Sequence, residues 1–215
     1  MLKLGFKPSE EYWANVRKLV SSGRQHRVIC FCGSGPGVGT SSIAASYASL
    51  LAGENGAEVL LVDGQIVQPA VARLTEVEPV PGLADFLWSN KPPSSPIKST
   101  DIPGLDVVPA GSRDSYPMGA SAAVMTTPKW HEALQQWRER YGTVVIDTDP
   151  LLARSNAMQM ATQSDAVVVV CRWHETRREV LAQIRRQLEN VQANLLGVVV
   201  NRRRYLIPGW LYRRI

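Results

Sequence analysis

Apolar residues in this chain recur in two forms. Short runs of β-branched and aliphatic residues, "RVICFC", "EVLLVD", "LDVV", "TVVID", "DAVVVVC" and "LLGVVV", read as strands buried on both faces. Longer stretches between them space their apolar positions three and four apart. "PSEEYWANVRKLVSS" predicts an opening helix with Ser9 as N-cap and acids in its first turn. "TSSIAASYASLLAG" predicts a helix rich in small residues that stops at glycine. "TTPKWHEALQQWRERYG" and "TRREVLAQIRRQLENVQ" read as amphipathic helices, and "NAMQMATQ" as a piece of another. The middle, "PGLADFLWSNKPPSSPIKSTDIPG", mixes a short helix with proline-rich connections.

Strands alternating with helices predict an α/β fold, a doubly wound, mainly parallel sheet flanked by helices. The proline-rich stretch is too short to separate a pair of cores. Residues 1–215 are therefore expected to form a single domain, with 1–25 as an N-terminal helix and 202–215 as a basic aromatic tail.

Composition narrows the setting. Net charge is +5, with arginines gathered late, which favours an acidic partner or an anionic membrane surface. Nucleic acid is not expected, because no recognised binding module is present. The three cysteines, Cys30, Cys32 and Cys171, all fall in predicted core strands, which points to free thiols in a reducing compartment. No apolar run has the length of a membrane span and no leader-like segment opens the chain, so a cytoplasmic location is expected.

The candidate chemistry sits at "GSGPGVGTSS", Gly33 to Ser42, between a predicted strand and a predicted helix. Such a loop turns backbone N–H groups toward phosphate, aided by the helix N-terminus. Gly35, Pro36, Gly37, Val38, Gly39, Thr40, Ser41 and Ser42 would form the cradle, with Ser41 at the magnesium-ligand position. Thr40 stands where the consensus has lysine, and Ser34 where it has its first glycine. The plainer alternative is a tight strand–helix turn. No register of these glycines gives the dinucleotide fingerprint. Two acids, Asp63 and Asp147, end apolar runs, and are expected on strands flanking the first, where they would position Mg²⁺ or its waters.

Together these motifs resemble, nearly end to end, the cytoplasmic domain of bacterial tyrosine kinases of the capsule and exopolysaccharide type. These are relatives of the MinD/ParA-like P-loop ATPases. "PGVGTSS" stands for the family's P-G-E-G-K-S-T, "VLLVDGQIVQPAV" for its V-L-L-I-D-x-D-x-R-x-P, and "YGTVVIDTDP" for its Walker B strand. The resemblance implies ATP or ADP with Mg²⁺ as ligands, and Asn201 and Arg202 of "VVVNR" beside the adenine. It implies the cytoplasmic segment of a Wzz-like membrane polysaccharide copolymerase as partner, assembly into a homo-oligomer, and a place at the inner membrane.

The departures from the pattern fall on the chemistry. The Walker lysine is Thr40, the MinD-type signature lysine would fall at Gly35, and the second acid of D-x-D is Gln65. Asp149 and Asn156 replace a proline and an acid. The family's N-terminal E-x-x-R-x-x-R keeps only Glu11 and Arg17, with Ala14 between, and the tyrosine cluster only Tyr205 and Tyr212. The expected outcome is a degenerate kinase-like protein with weak or no ATP hydrolysis. Two alternatives are an active tyrosine kinase using a relocated cation such as Arg113 or Arg154, and a ParA/MinD-type positioning ATPase.

Overall fold

The computed structural model describes residues 2–4, 8–23, 25–53, 56–65, 68–115, 125, 127–153 and 155–202. Its centre is a seven-stranded sheet. The strands are β1 (Val28–Gly33), β2 (Val59–Asp63), β3 (Lys98–Ser99), β4 (Leu105–Val108), β5 (Thr143–Asp147), β6 (Ala166–Arg172) and β7 (Leu195–Asn201). They lie in the order β3-β4-β2-β5-β1-β6-β7, and every pairing is parallel except β3 with β4. The expected doubly wound sheet is therefore present.

Two details differ from the sequence reading. β3 is a two-residue antiparallel edge inside the proline-rich middle, too short to leave any periodic signal. The strands ending in Asp63 and Asp147 do not both flank β1. β5 is inserted between β2 and β1, and its neighbours are those two strands. The acids are brought together instead by direct register, Asp63 opposite Asp147.

Strand residues alternate between two apolar layers. Cys30, Cys32, Val144 and Ile146 face one layer, built from α4 (Leu83–Leu87), α5 (Pro128–Arg140), α6 (Ser155–Thr162) and α7 (Arg178–Asn190). Ile29, Phe31 and Val145 face the other, built from α1 (Glu10–Gly23), α2 (Thr40–Ala52) and α3 (Val71–Thr75). The cysteines are free and buried, as expected of thiols in core strands. Burial pushes the Cys30 thiol up to about 12, so it is an inert packing group at neutral pH.

Small residues let α2 lie close on the sheet: Ala44, Ala45 and Ala48 are fully buried there. α1 then packs on α2. Its Ser9 hydroxyl accepts from the Tyr12 N–H, the expected cap. The Tyr12 hydroxyl shares a 2.7 Å hydrogen bond with Ser46 Oγ and reaches the Ser42 carbonyl at 3.3 Å, tying the opening helix to the first turns of α2.

α5 begins in an equally local way. Thr127 is its N-cap, accepting from the Trp130 N–H, with Pro128 at the first helical position. Thr127→Ala is expected to cost about 1 kcal/mol, the usual worth of such a cap, read as a lowered midpoint in urea with an unchanged slope.

Candidate functional site

The glycine-rich loop leaves β1 at Gly33 and enters α2 at Thr40. Its backbone is set by Gly37 at φ 69° and Gly39 at φ 95°, left-handed values that a side chain would strain. A Cβ on Gly39 would also lie 2.3 Å from Asn201 Nδ2. The first intrahelical bond of α2 runs from Ile43 N–H to the Gly39 carbonyl. The N–H groups of Thr40, Ser41 and Ser42 therefore precede the helical ladder, the arrangement that receives anions. At Gly35 and Gly37 a Cβ would meet nothing within 4 Å, so the loop faces open space. Its backbone fits phosphate.

Elements across the sheet hold the loop in place. Asn201, the last residue of β7, donates from Nδ2 to the Val38 carbonyl at 2.8 Å, and its Oδ1 accepts from the Arg202 N–H. The side chain implied to meet adenine is here a tie between β7 and the loop. Ser34 shares a 2.9 Å hydrogen bond with Thr176, just before α7. Nothing in the spacing of "HETRREV" marks Thr176 for this contact. Beside Gly39 and Ser42 opens a cleft of about 930 Å³, bounded by Tyr12 and Lys18 of α1 and by Val199 and Asn201 of β7.

The two acids play unequal roles. Asp63 is fully buried, yet its oxygens are taken by backbone: Gln65 N–H on Oδ1 at 3.0 Å, and Ala70 and Val71 N–H on Oδ2 at 3.1 and 3.0 Å. It is an anchor for the chain entering α3. Among the described residues its hydrogen bonds all come from backbone amides, so a role for Asp63 in positioning Mg²⁺ would require it to give up some of them. Gly64 follows with no side chain, because a Cβ there would lie 2.7 Å from Met160 Sδ, and its N–H donates to the Asp147 carbonyl.

Asp147 is also fully buried, and its carboxylate does face the loop. The Gln65 Nε2 amide donates to both of its oxygens at 3.0 Å and to Ser41 Oγ at 3.1 Å. Ser41 also hydrogen-bonds Asp147, so the three side chains form one closed cluster. Sequence reasoning marked Gln65 only as a missing acid. The amide's place between Ser41 and Asp147 depends on residues far away in sequence, and no local signal gives it.

Burial is the main cause that pushes both carboxyls up, and the charge of Asp63 raises Asp147 further. Asp149, beside them and 7% exposed, adds to the same effect. Among the described residues no lysine or arginine forms an ion pair with Asp63 or Asp147. Arg113 lies solvent-exposed in a one-turn helix, Arg113–Ser115. Arg154, Tyr205 and Tyr212 lie outside the described residues. Thr40 itself is nearly buried at the mouth of α2 and carries no charge.

These features are matched in known proteins. The family model described as an AAA domain covers residues 26–199. The chain is 26% identical over 197 residues to the putative tyrosine-protein kinase EpsB of Ralstonia solanacearum, which takes in 90% of this chain and 26% of that protein. It is 26% identical over 181 residues to the succinoglycan biosynthesis transport protein ExoP of Rhizobium meliloti, 84% of this chain and 23% of that one. It thus spans about a quarter of the length of both relatives. The crystal structure of the VpsO kinase domain superposes with a TM-score of 0.79 at 26% identity, covering 89% of this chain and 92% of that one. With its glycine loop at the end of β1 and its paired acids on β2 and β5, the chain belongs to the AAA domain family, as a P-loop domain of the bacterial tyrosine kinase type.

Proposed function

We propose that this chain serves bacterial exopolysaccharide or capsule synthesis or export as a cytoplasmic regulator or partner of a membrane polysaccharide copolymerase, with weak or no ATP hydrolysis. One observation carries the reading. The loop keeps the backbone form of a phosphate cradle, but Thr40 stands for the lysine, and no described cation pairs with the acids opposite.

A reacting phosphoryl group needs preorganised positive charge. Removing one such donor costs on the order of 10²–10³ in rate, by analogy with oxyanion sites. Backbone amides and a helix N-terminus hold phosphate without lysine, so weak nucleotide binding survives the loss. The cleft between α1 and β7 adjoins Gly39 and Ser42 and is large enough for a nucleoside. Among the described residues no helix is long and apolar enough to cross a membrane.

The test is a phosphorylation assay on the full chain with labelled ATP and Mg²⁺, alongside capture on the cytoplasmic segment of a membrane polysaccharide copolymerase. The expected result is capture without phosphotyrosine. ATP-dependent labelling of Tyr205 or Tyr212 that disappears in Asp147→Asn would instead establish a working kinase.

A further inference from the structure

Proteins of this fold are expected to hold Mg²⁺ between the hydroxyl that follows the loop's lysine and a strand-end carboxylate. In this chain those two groups are Ser41 and Asp147. They do not stand free: the Gln65 amide nitrogen lies 3.1 Å from Ser41 Oγ and 3.0 Å from each oxygen of Asp147. We propose that the Gln65 carboxamide is a resident substitute for the divalent cation, and that the crevice excludes Mg²⁺.

The Gln65 amide and a divalent cation compete for a single place. Mg²⁺ draws its oxygen ligands to about 2.0–2.1 Å in a near-octahedral shell. Ser41 Oγ and the Asp147 carboxylate cannot close on an ion while both accept from an amide nitrogen lying between them. The amide suits the place because its N–H groups aim positive partial charge at buried oxygens without the hydration cost of a dication.

Two further features keep Gln65 where it is. Its backbone N–H is fixed by Asp63 Oδ1, and the preceding Gly64 N–H by the Asp147 carbonyl. Ejecting the side chain would leave Asp147, which is fully buried, without its amide donor. Asp63, the other acid in reach, has its oxygens committed to backbone amides. Among the described residues no group of three or more histidine, cysteine or acidic side chains could hold a metal ion.

The inference rests on the family reading of the crevice but not on the copolymerase proposal, and the two fail separately. The probe is Mn²⁺, followed by electron paramagnetic resonance of the free ion, with the full chain at neutral pH, alone and with ADP. Wild type is expected to take up no Mn²⁺ up to about 1 mM. Gln65→Asp restores an acid and removes the amide, and should bind Mn²⁺ at least tenfold more tightly than wild type. The gain should vanish when Asp147→Asn is added. Gln65→Ala, which empties the place without adding charge, should show a smaller gain and covers the case in which Gln65→Asp does not fold. Stoichiometric Mn²⁺ uptake by wild type that is lost in Ser41→Ala overturns the proposal. So does a folded Gln65→Ala and a folded Gln65→Asp that both remain silent. Copolymerase capture is untouched by either result, so failure of the metal inference would not be mistaken for failure of the proposed role.

Discussion

Asp63→Ala is expected to lower stability by roughly 2–3 kcal/mol, because it strips the acceptor from one buried and two half-buried backbone N–H groups at once. Each such orphaned group costs about 1–3 kcal/mol. Some of that is returned, since the substitution also removes a carboxyl whose charge burial disfavours. The remainder is a large share of the roughly 5–15 kcal/mol that holds a domain folded. Urea unfolding followed by tryptophan fluorescence reads it, with Trp130 and Trp137 fully buried as reporters. Asp63→Asn, which keeps one acceptor oxygen, should lose markedly less. A loss no greater than that of an exposed Asp→Ala change would show that the backbone anchors do not depend on this side chain. The distinction bears on function, because nucleotide binding that failed in Asp63→Ala would report a disordered entry to α3 and not a missing ligand. Substitutions at Ser41 and Asp147 are the cleaner probes of the crevice.

The strands and long helices were legible because their burial is periodic. "VICFC" and "VLLVD" are continuous apolar runs, and both proved fully buried. α7 shows a narrow apolar stripe with Ile184 and Leu188 buried, which the spacing alone predicts. The glycine loop was legible for the same kind of reason, since left-handed backbone at Gly37 and Gly39 leaves a mark in composition. What could not be read was anything fixed by a partner remote in sequence. α3 has five residues and no period of its own; it exists where Asp63 anchors the N–H groups of Ala70 and Val71. The insertion of β5 between β2 and β1 is a choice among sheet orders that share the same alternation. Asp63 and Gln65 were each read from the family pattern as a ligand kept and a ligand lost. Hydrogen bonds add what that pattern lacks: Asp63 accepts from backbone amides, and Gln65 lies between Ser41 and Asp147.

The same crevice predicts an unusual dependence of stability on pH. Asp63 is raised from 3.8 to about 6, chiefly by burial, and Asp147 is raised as well, by burial and by Asp63. A carboxyl with a raised folded-state value binds its proton more tightly folded than unfolded. Its contribution is fully present below about pH 4 and is lost as pH rises through the folded value. Asp63 therefore favours the folded chain more at pH 4 than at pH 7. Asp85 and Asp165 act in the opposite sense. Both are lowered by hydrogen bonds, Asp165 also by Arg138, so their support fades only as pH falls below 4. Stability should therefore peak near pH 4–5 and decline toward pH 8, whereas many proteins are most stable between about pH 5 and 8. Asp147→Asn should flatten the decline and stabilise the chain at pH 8, because the amide keeps an acceptor for Gln65 without a charge to bury. Urea midpoints at pH 5, 6.5 and 8 for wild type and this variant decide it. A wild-type stability that rises across that range would show that burial does not hold these two carboxyls up in the folded chain.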